Sequence, residues 1–294
     1  MPDAPFPPGL RRLIAPNPSP MTAEGTNTWL LGQRQVAVID PGPDDPAHVA
    51  AILGALGPGA EISHILVTHA HADHSGAVPR LKAATGAEVL AFGQATEGRA
   101  PAMAALAARE GLAGGEGIDA AFAPDRRLAP GARVESDEWR LTALHTPGHL
   151  SSHMCFVLED AAAVFTGDTV MGWSSTLISP PDGSVSEYLA SIDLLMDRSE
   201  DLYLPGHGAA VPQGRALAAS QKAHRLGRAA EIVAGLEKGP ATLAALTAGI
   251  YADLPERLHR AAMRNVLAHL IDLSLQGRVA LPDGPLDRGS FRLS

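Results

Sequence analysis

Ile62-Ser-His-Ile-Leu-Val67 runs directly into Thr68-His69-Ala-His71-Ala-Asp73-His74, and this junction decides how the chain is read. The first part is a short, mainly apolar run of the kind a buried strand carries. The second places four side chains able to bind a metal within six residues. On extended backbone alternate side chains share a face, so His69 and His71 can grip one ion. The following turn carries Asp73 and His74 round to a second position. Neutral imidazoles with a carboxylate suit zinc, manganese or iron, and zinc is the default where no redox chemistry is needed.

Three later segments repeat the arrangement of a short apolar strand followed by a glycine-containing loop with one ligand-capable residue. They are His145-Thr-Pro-Gly-His149, Phe165-Thr-Gly-Asp168-Thr169 and Leu204-Pro-Gly-His207-Gly208. Glycine lets the backbone turn tightly and come close to an ion. Alone, each is an ordinary turn; in this order, behind the first cluster, they support one another. Strands are expected within 26–39 (a pair), 62–67, 87–91, 133–144, 153–158, 162–166 and 201–204. Helices are expected over 46–56, 76–84, 101–112 and 186–196, the third inside an insertion reaching about Asp125. This alternation gives an α/β fold with the histidines and aspartates just beyond the carboxyl ends of strands, the edge where α/β sheets place their sites.

Beyond Gly214 the pattern changes to helices at 215–238, 242–250 and 255–276, then two short strands around Pro282-Asp-Gly-Pro285. Charge changes at the same point. Up to Gly214 there are 12 basic and 25 acidic residues, a balance of −13; after it there are 11 and 7, a balance of +4. Two modules are therefore expected, residues 1–213 and a winged-helix-like 214–294. Overall acidity argues against duplex DNA as a partner. No stretch is long and apolar enough for a membrane span, and the proline-broken N-terminus is unlike a secretory signal. The single cysteine, Cys155, excludes an intramolecular disulfide and a cysteine-based zinc cluster, so a cytoplasmic setting is expected.

The order HxHxDH, PGH, TGD, PGHG resembles the metallo-β-lactamase superfamily over about residues 18–210. Asn17-Pro-Ser-Pro-Met-Thr-Ala-Glu-Gly-Thr-Asn-Thr28, Val38-Ile-Asp-Pro-Gly42, Ser151-Ser-His153 and the tail are similar to its β-lactamase-like protein 2 branch, whose members include single-strand-specific endoribonucleases. The resemblance implies an αββα metallo-β-lactamase sandwich with its site at one edge. It also implies that His69, His71 and His149 hold one metal, that Asp73, His74 and His207 hold a second, and that Asp168 bridges them, the ligand set of the glyoxalase II type. Asp40 matches a family aspartate and is expected to support the histidine loop by hydrogen bonds. His145 is expected to be a buried, hydrogen-bonded residue. His153 either faces the cleft, donating to a substrate oxygen, or caps the loop. His74 and Asp168 set the chain apart from class B β-lactamases.

Two divalent ions roughly 3.5–4 Å apart lower the pKa of a shared water towards neutrality, so a metal-bridging hydroxide could attack a carbonyl or phosphoryl centre, with Asp73 and Asp168 as the catalytic carboxylates. The expected cofactors are two zinc ions, with manganese or iron as substitutes. The leading expectation is a dinuclear zinc-dependent hydrolase of a small ester, thioester or lactone. The alternative is a single-strand-specific endoribonuclease taking short single-stranded RNA along Arg257, Arg260 and Arg264, which recur on one long helix. A homodimer is expected through the tail.

Overall fold

Alternation along the central strands sets the layers, because successive side chains of a strand point to opposite faces. Trp29 and Leu31 share one apolar cluster with Ala37, Ile39, Phe156 and Phe165, while Leu30, Val36 and Val38 belong to a second. The first cluster lies between two sheets and the second under the helices outside one of them. The computed structural model describes residues 6–109, 112 and 114–294. The first sheet comprises β1 (Leu10–Ile14), β2 (Asn27–Leu31), β3 (Gln35–Ile39), β4 (Glu61–Leu66), β5 (Glu88–Ala91) and β6 (Arg126–Arg127), in that order. Its β1–β2 and β2–β3 pairs are antiparallel, and the pairs from β3 to β6 are parallel.

The second sheet comprises β7 (Arg133–Glu135), β8 (Arg140–His145), β9 (Met154–Leu158), β10 (Ala163–Gly167) and β11 (Leu202–Pro205), ordered β11-β10-β9-β8-β7. Helices α1 (Pro46–Gly54) and α3 (Val78–Thr85) cover the first sheet through Val49, Ile52, Val78 and Leu81. Between them in sequence, α2 (Ala72–Ser75) carries the histidine turn. The short α4 (Pro101–Leu106) lies in the insertion, and α5 (Val185–Met196) covers the second sheet through Tyr188, Ile192 and Leu195. Capping is legible in the sequence: Asp45 accepts from the backbone N–H of Ala47 ahead of Pro46, and Ser184 accepts from Glu187. The result is an αββα sandwich.

The tail begins with α6 (Gly214–Leu236) and continues through β12 (Ala241–Thr242), α7 (Leu243–Ile250), α8 (Glu256–Leu275), β13 (Val279–Ala280) and β14 (Ser290–Leu293). Strands β12 and β13 flank β14, giving a small three-stranded sheet against two helices, a winged helix. Its core of Val266, Leu270, Leu273 and Phe291 also takes in Met103 and Leu112 from the insertion. No helix among the described residues is long and apolar enough to cross a membrane.

Two expectations need correction. The insertion helix stops at Leu106 rather than Leu112, as Ala107–Arg109 form a turn; Glu110 and Gly111 lie outside the described residues. Arg257, Arg260 and Arg264 do not form one solvated stripe. Arg264 is buried, and it donates to the Ser179 hydroxyl at 2.8 Å and to the Pro180 carbonyl. Arg260 is exposed and ion-paired with Glu116. Helical spacing puts these residues on one face but could not show that Arg264, further along α8, packs on the sandwich.

Candidate metal centre

Each strand-to-loop junction delivers its ligand-capable residues to the same edge. β4 ends at Leu66 before His69, His71, Asp73 and His74; β8 precedes His149, β10 precedes Asp168, and β11 precedes His207. Nitrogen atoms of His69, His71 and His149 converge: His71 Nδ1 lies 2.9 Å from His69 Nε2 and 3.0 Å from His149 Nε2. Asp73, His74 and His207 form a second group, with Asp73 Oδ2 at 3.6 Å from His74 Nε2 and 3.3 Å from His207 Nε2. Asp168 stands between them. Its Oδ2 is 3.7 Å from His149 Nε2 and 3.5 Å from His207 Nε2, and its Oδ1 is 3.5 Å from His74 Nε2.

The surroundings assign the tautomers. His149 Nδ1 donates to the Leu177 carbonyl at 2.7 Å, His207 Nδ1 to the Gly25 carbonyl at 3.2 Å, and His74 Nδ1 to Asp40 Oδ2 at 2.9 Å. Thr68 Oγ1 spends its one proton on Asp40 Oδ2, so His69 Nδ1 donates to Thr68. With the rings neutral, as ligands must be, all four Nε2 atoms present lone pairs inward. His74 Nε2 and His207 Nε2 then face each other at 3.3 Å, and the buried Asp168 Oδ1 has no hydrogen-bond partner. Lone pairs crowded this closely repel unless positive charge lies among them. The donor set therefore fits divalent cations.

Electrostatics divide the centre. Burial, and secondarily the neighbouring His149, pushes His71 down to about 3, and His69 is also held well below its ordinary value, chiefly by burial. These imidazoles stay neutral, as ligands must. Around the other group burial also disfavours charge, yet Asp73, Asp168 and Asp40 outweigh it and raise His74 to about 9, so these carboxylates draw positive charge into the group, as a proton or as a cation. Asp168 and Asp73 likewise overcome burial and raise His207 to about 11.

Supporting residues complete the site. Asp40 accepts from the Thr68 backbone N–H through Oδ1 as well as from Thr68 Oγ1 and His74. His153 is fully buried, which removes it from any role on a substrate. Its Nε2 accepts the Asp168 backbone N–H at 3.1 Å, and Nδ1 lies at the Thr146 and Thr169 hydroxyls. His145 is outside the cluster, half-buried, stacked on Phe92 and bonded to the Ser151 carbonyl. Cys155 is buried in β9, its thiol pushed up to about 12 by burial. Two glycines are required by space. A Cβ on Gly206 would sit 2.6 Å from both Asp168 Oδ1 and His74, and one on Gly148 (φ +142°) would collide with the Tyr188 backbone.

The tail reaches the centre through residues that no local motif marks. Arg225 of α6 donates to the Thr176 carbonyl and to Asn265 Oδ1, and Asn265 of α8 accepts the Ile178 N–H at 3.1 Å. With Arg264 on Ser179 and Pro180, the helices pin residues 176–180, the loop whose Leu177 carbonyl orients His149.

The sequence pattern of the metallo-beta-lactamase superfamily matches residues 21–207, and that of the beta-lactamase associated winged helix domain matches residues 242–284. The chain is 27% identical to an atrochrysone carboxyl ACP thioesterase of Aspergillus chevalieri, over 92% of this chain and 82% of that protein. It is 28% identical to a beta-lactamase-like protein 2 homolog of Caenorhabditis elegans, over 92% and 86%. A beta-lactamase domain protein from Burkholderia ambifaria shares the fold with a TM-score of 0.82 at 24% identity, covering 99% of this chain and 93% of that one.

Proposed function

From the premise that the chain belongs to the metallo-beta-lactamase superfamily of hydrolases, we propose that it is a dinuclear zinc-dependent thioesterase. His69, His71 and His149 would hold one ion, Asp73, His74 and His207 the other, with Asp168 shared. Bound there, two divalent ions supply Lewis acidity towards a carbonyl and a water that ionises near neutral pH. Asp73, with a side chain 29% exposed against 9% for Asp168, is placed to orient the attacking water from the open side. Asp40 and Thr68 fix the ring orientations, and His153 fixes Asp168. Cys155 is too deeply buried to act as a nucleophile. In this reading residues 1–213 are the catalytic unit and 214–294 a buttress for it.

One observation carries the choice of a carbonyl substrate over RNA. The least exposed basic side chains around the mouth are already engaged: Arg99 with Asp182, and Arg264 with Ser179 and Pro180. An RNA phosphodiester backbone needs such cations for itself. The relative named as a thioesterase supports the same choice. The likeness to the beta-lactamase-like protein 2 homolog supports the nuclease alternative, which the same experiment tests. Zinc-loaded protein is assayed against thioesters, lactones and short single-stranded RNA at several salt concentrations. Thioester turnover with RNA left intact is expected; RNA cleavage that weakens steeply with salt, without thioester turnover, would overturn the reading.

A further inference from the structure

The enclosed space beside His71 and His149 is small. The cleft lined by His71, His149, Glu116 and Ser179 holds about 30 Å³, far less than the space a small-molecule site offers. A second cavity, of about 550 Å³, lies where the insertion meets α7 and α8. That volume falls within the roughly 300–1,000 Å³ of small-molecule sites. Four of its lining residues are apolar, Leu112 from the insertion, Leu243 from α7, and Met263 and Leu267 from α8; Arg260, Arg264 and Asp287 complete the wall.

The two spaces adjoin through paired residues. Glu116 lines the small cleft and Arg260 the large cavity, and the two form an ion pair. Ser179 lines the small cleft and Arg264 the large one, and they are hydrogen-bonded at 2.8 Å. Gly117, next to Glu116, approaches the His71 ring, with only 3.8 Å between it and the position of an added Cβ. The Arg260 side chain is 77% exposed, so it can swing aside without disturbing packing.

We infer that the cavity between the insertion and α8 is the acyl pocket, taking the apolar acyl chain of a thioester whose carbonyl sits at His71 and His149. This rests on the thioesterase reading above and adds the specificity determinant to it. The thiol arm of a carrier, rich in amides, suits the open polar side of the cleft; four apolar side chains suit a hydrocarbon chain. Met263, half-buried on α8, sets the depth of the pocket.

The test is the chain-length profile of kcat/KM for N-acetylcysteamine thioesters from acetyl to decanoyl, on the zinc-loaded full chain. For the wild type, kcat/KM should rise about threefold to fourfold per methylene until the cavity is filled, the preference expected for burying a methylene group. Met263→Trp should lower the decanoyl-to-acetyl ratio at least tenfold, and Met263→Ala should move the optimum to a longer chain. Unfolding midpoints within a few degrees of the wild type would show that both variants are folded. Thioester turnover with the same profile in wild type and both variants overturns the acyl pocket and leaves the thioesterase reading standing. No turnover of any thioester by the metal-loaded wild type overturns both.

Discussion

Asp40 occupies left-handed backbone, φ 52°, a conformation that Asp and Asn tolerate better than other side chains with a Cβ. This strained position aims one carboxylate at three donors: the Thr68 N–H, the Thr68 hydroxyl and His74. Asp40→Asn keeps the backbone preference and the shape but loses acceptor capacity, and it should weaken zinc binding about 10–100-fold, measured by competition with a chelating dye. Asp168→Ala should remove bound metal and hydrolysis together; full activity with one ion per chain would contradict a shared carboxylate. Cys155 should resist alkylation by iodoacetamide in the native protein at pH 8 and react once the chain is unfolded, since its thiolate is disfavoured and inaccessible. At this scale the sequence was informative because the chemistry is local: His69, His71, Asp73 and His74 lie on one short segment, and Pro-Gly or Thr-Gly turns mark the others. His153 was ambiguous because only the folded chain shows that it is enclosed by Thr146, Thr169 and the Asp168 backbone.

Most strands and helices follow from periodicity, because β2, β3, β9 and β10 are buried on both faces and α8 has one apolar side. The failures have physical causes. β1 lies in a proline-punctuated segment whose two arginines obscure any alternation, and β6 is only Arg126–Arg127, formed by pairing with β5 rather than by propensity. The clamp on residues 176–180 was invisible for a related reason: Arg225 and Asn265 are 40 residues apart and meet only when α6 packs on α8. Asn265→Ala removes the acceptor for both the Ile178 N–H and the Arg225 guanidinium. Each stranded donor costs about 1–3 kcal/mol, so urea unfolding should shift to lower concentration. Zinc affinity should fall with it, because the Leu177 carbonyl that fixes His149 loses its anchor.

Across the molecule, stability should depend on pH through His269 in α8. It is fully buried, neither ring nitrogen has a hydrogen-bond partner, and burial, reinforced by Arg225 and Arg228, lowers its pKa to about 3. Between about 6.5 and 3 the unfolded chain takes up a proton that the folded chain refuses, so this residue's contribution is complete above the unfolded value and is lost as pH falls through that window. The slope contributed is at most about 1.4 kcal/mol per pH unit. Denaturant midpoints recorded from pH 8 to pH 4 should therefore decline less steeply for His269→Leu than for the wild type. The helix that bears this residue also grips the loop behind His149, and that places a constraint on evolution by recombination. The tail cannot be exchanged as a free cassette. A chimera taking a foreign C-terminal half should capture zinc poorly at the three-histidine position, and recover when residues 176–180 are transplanted from the same donor.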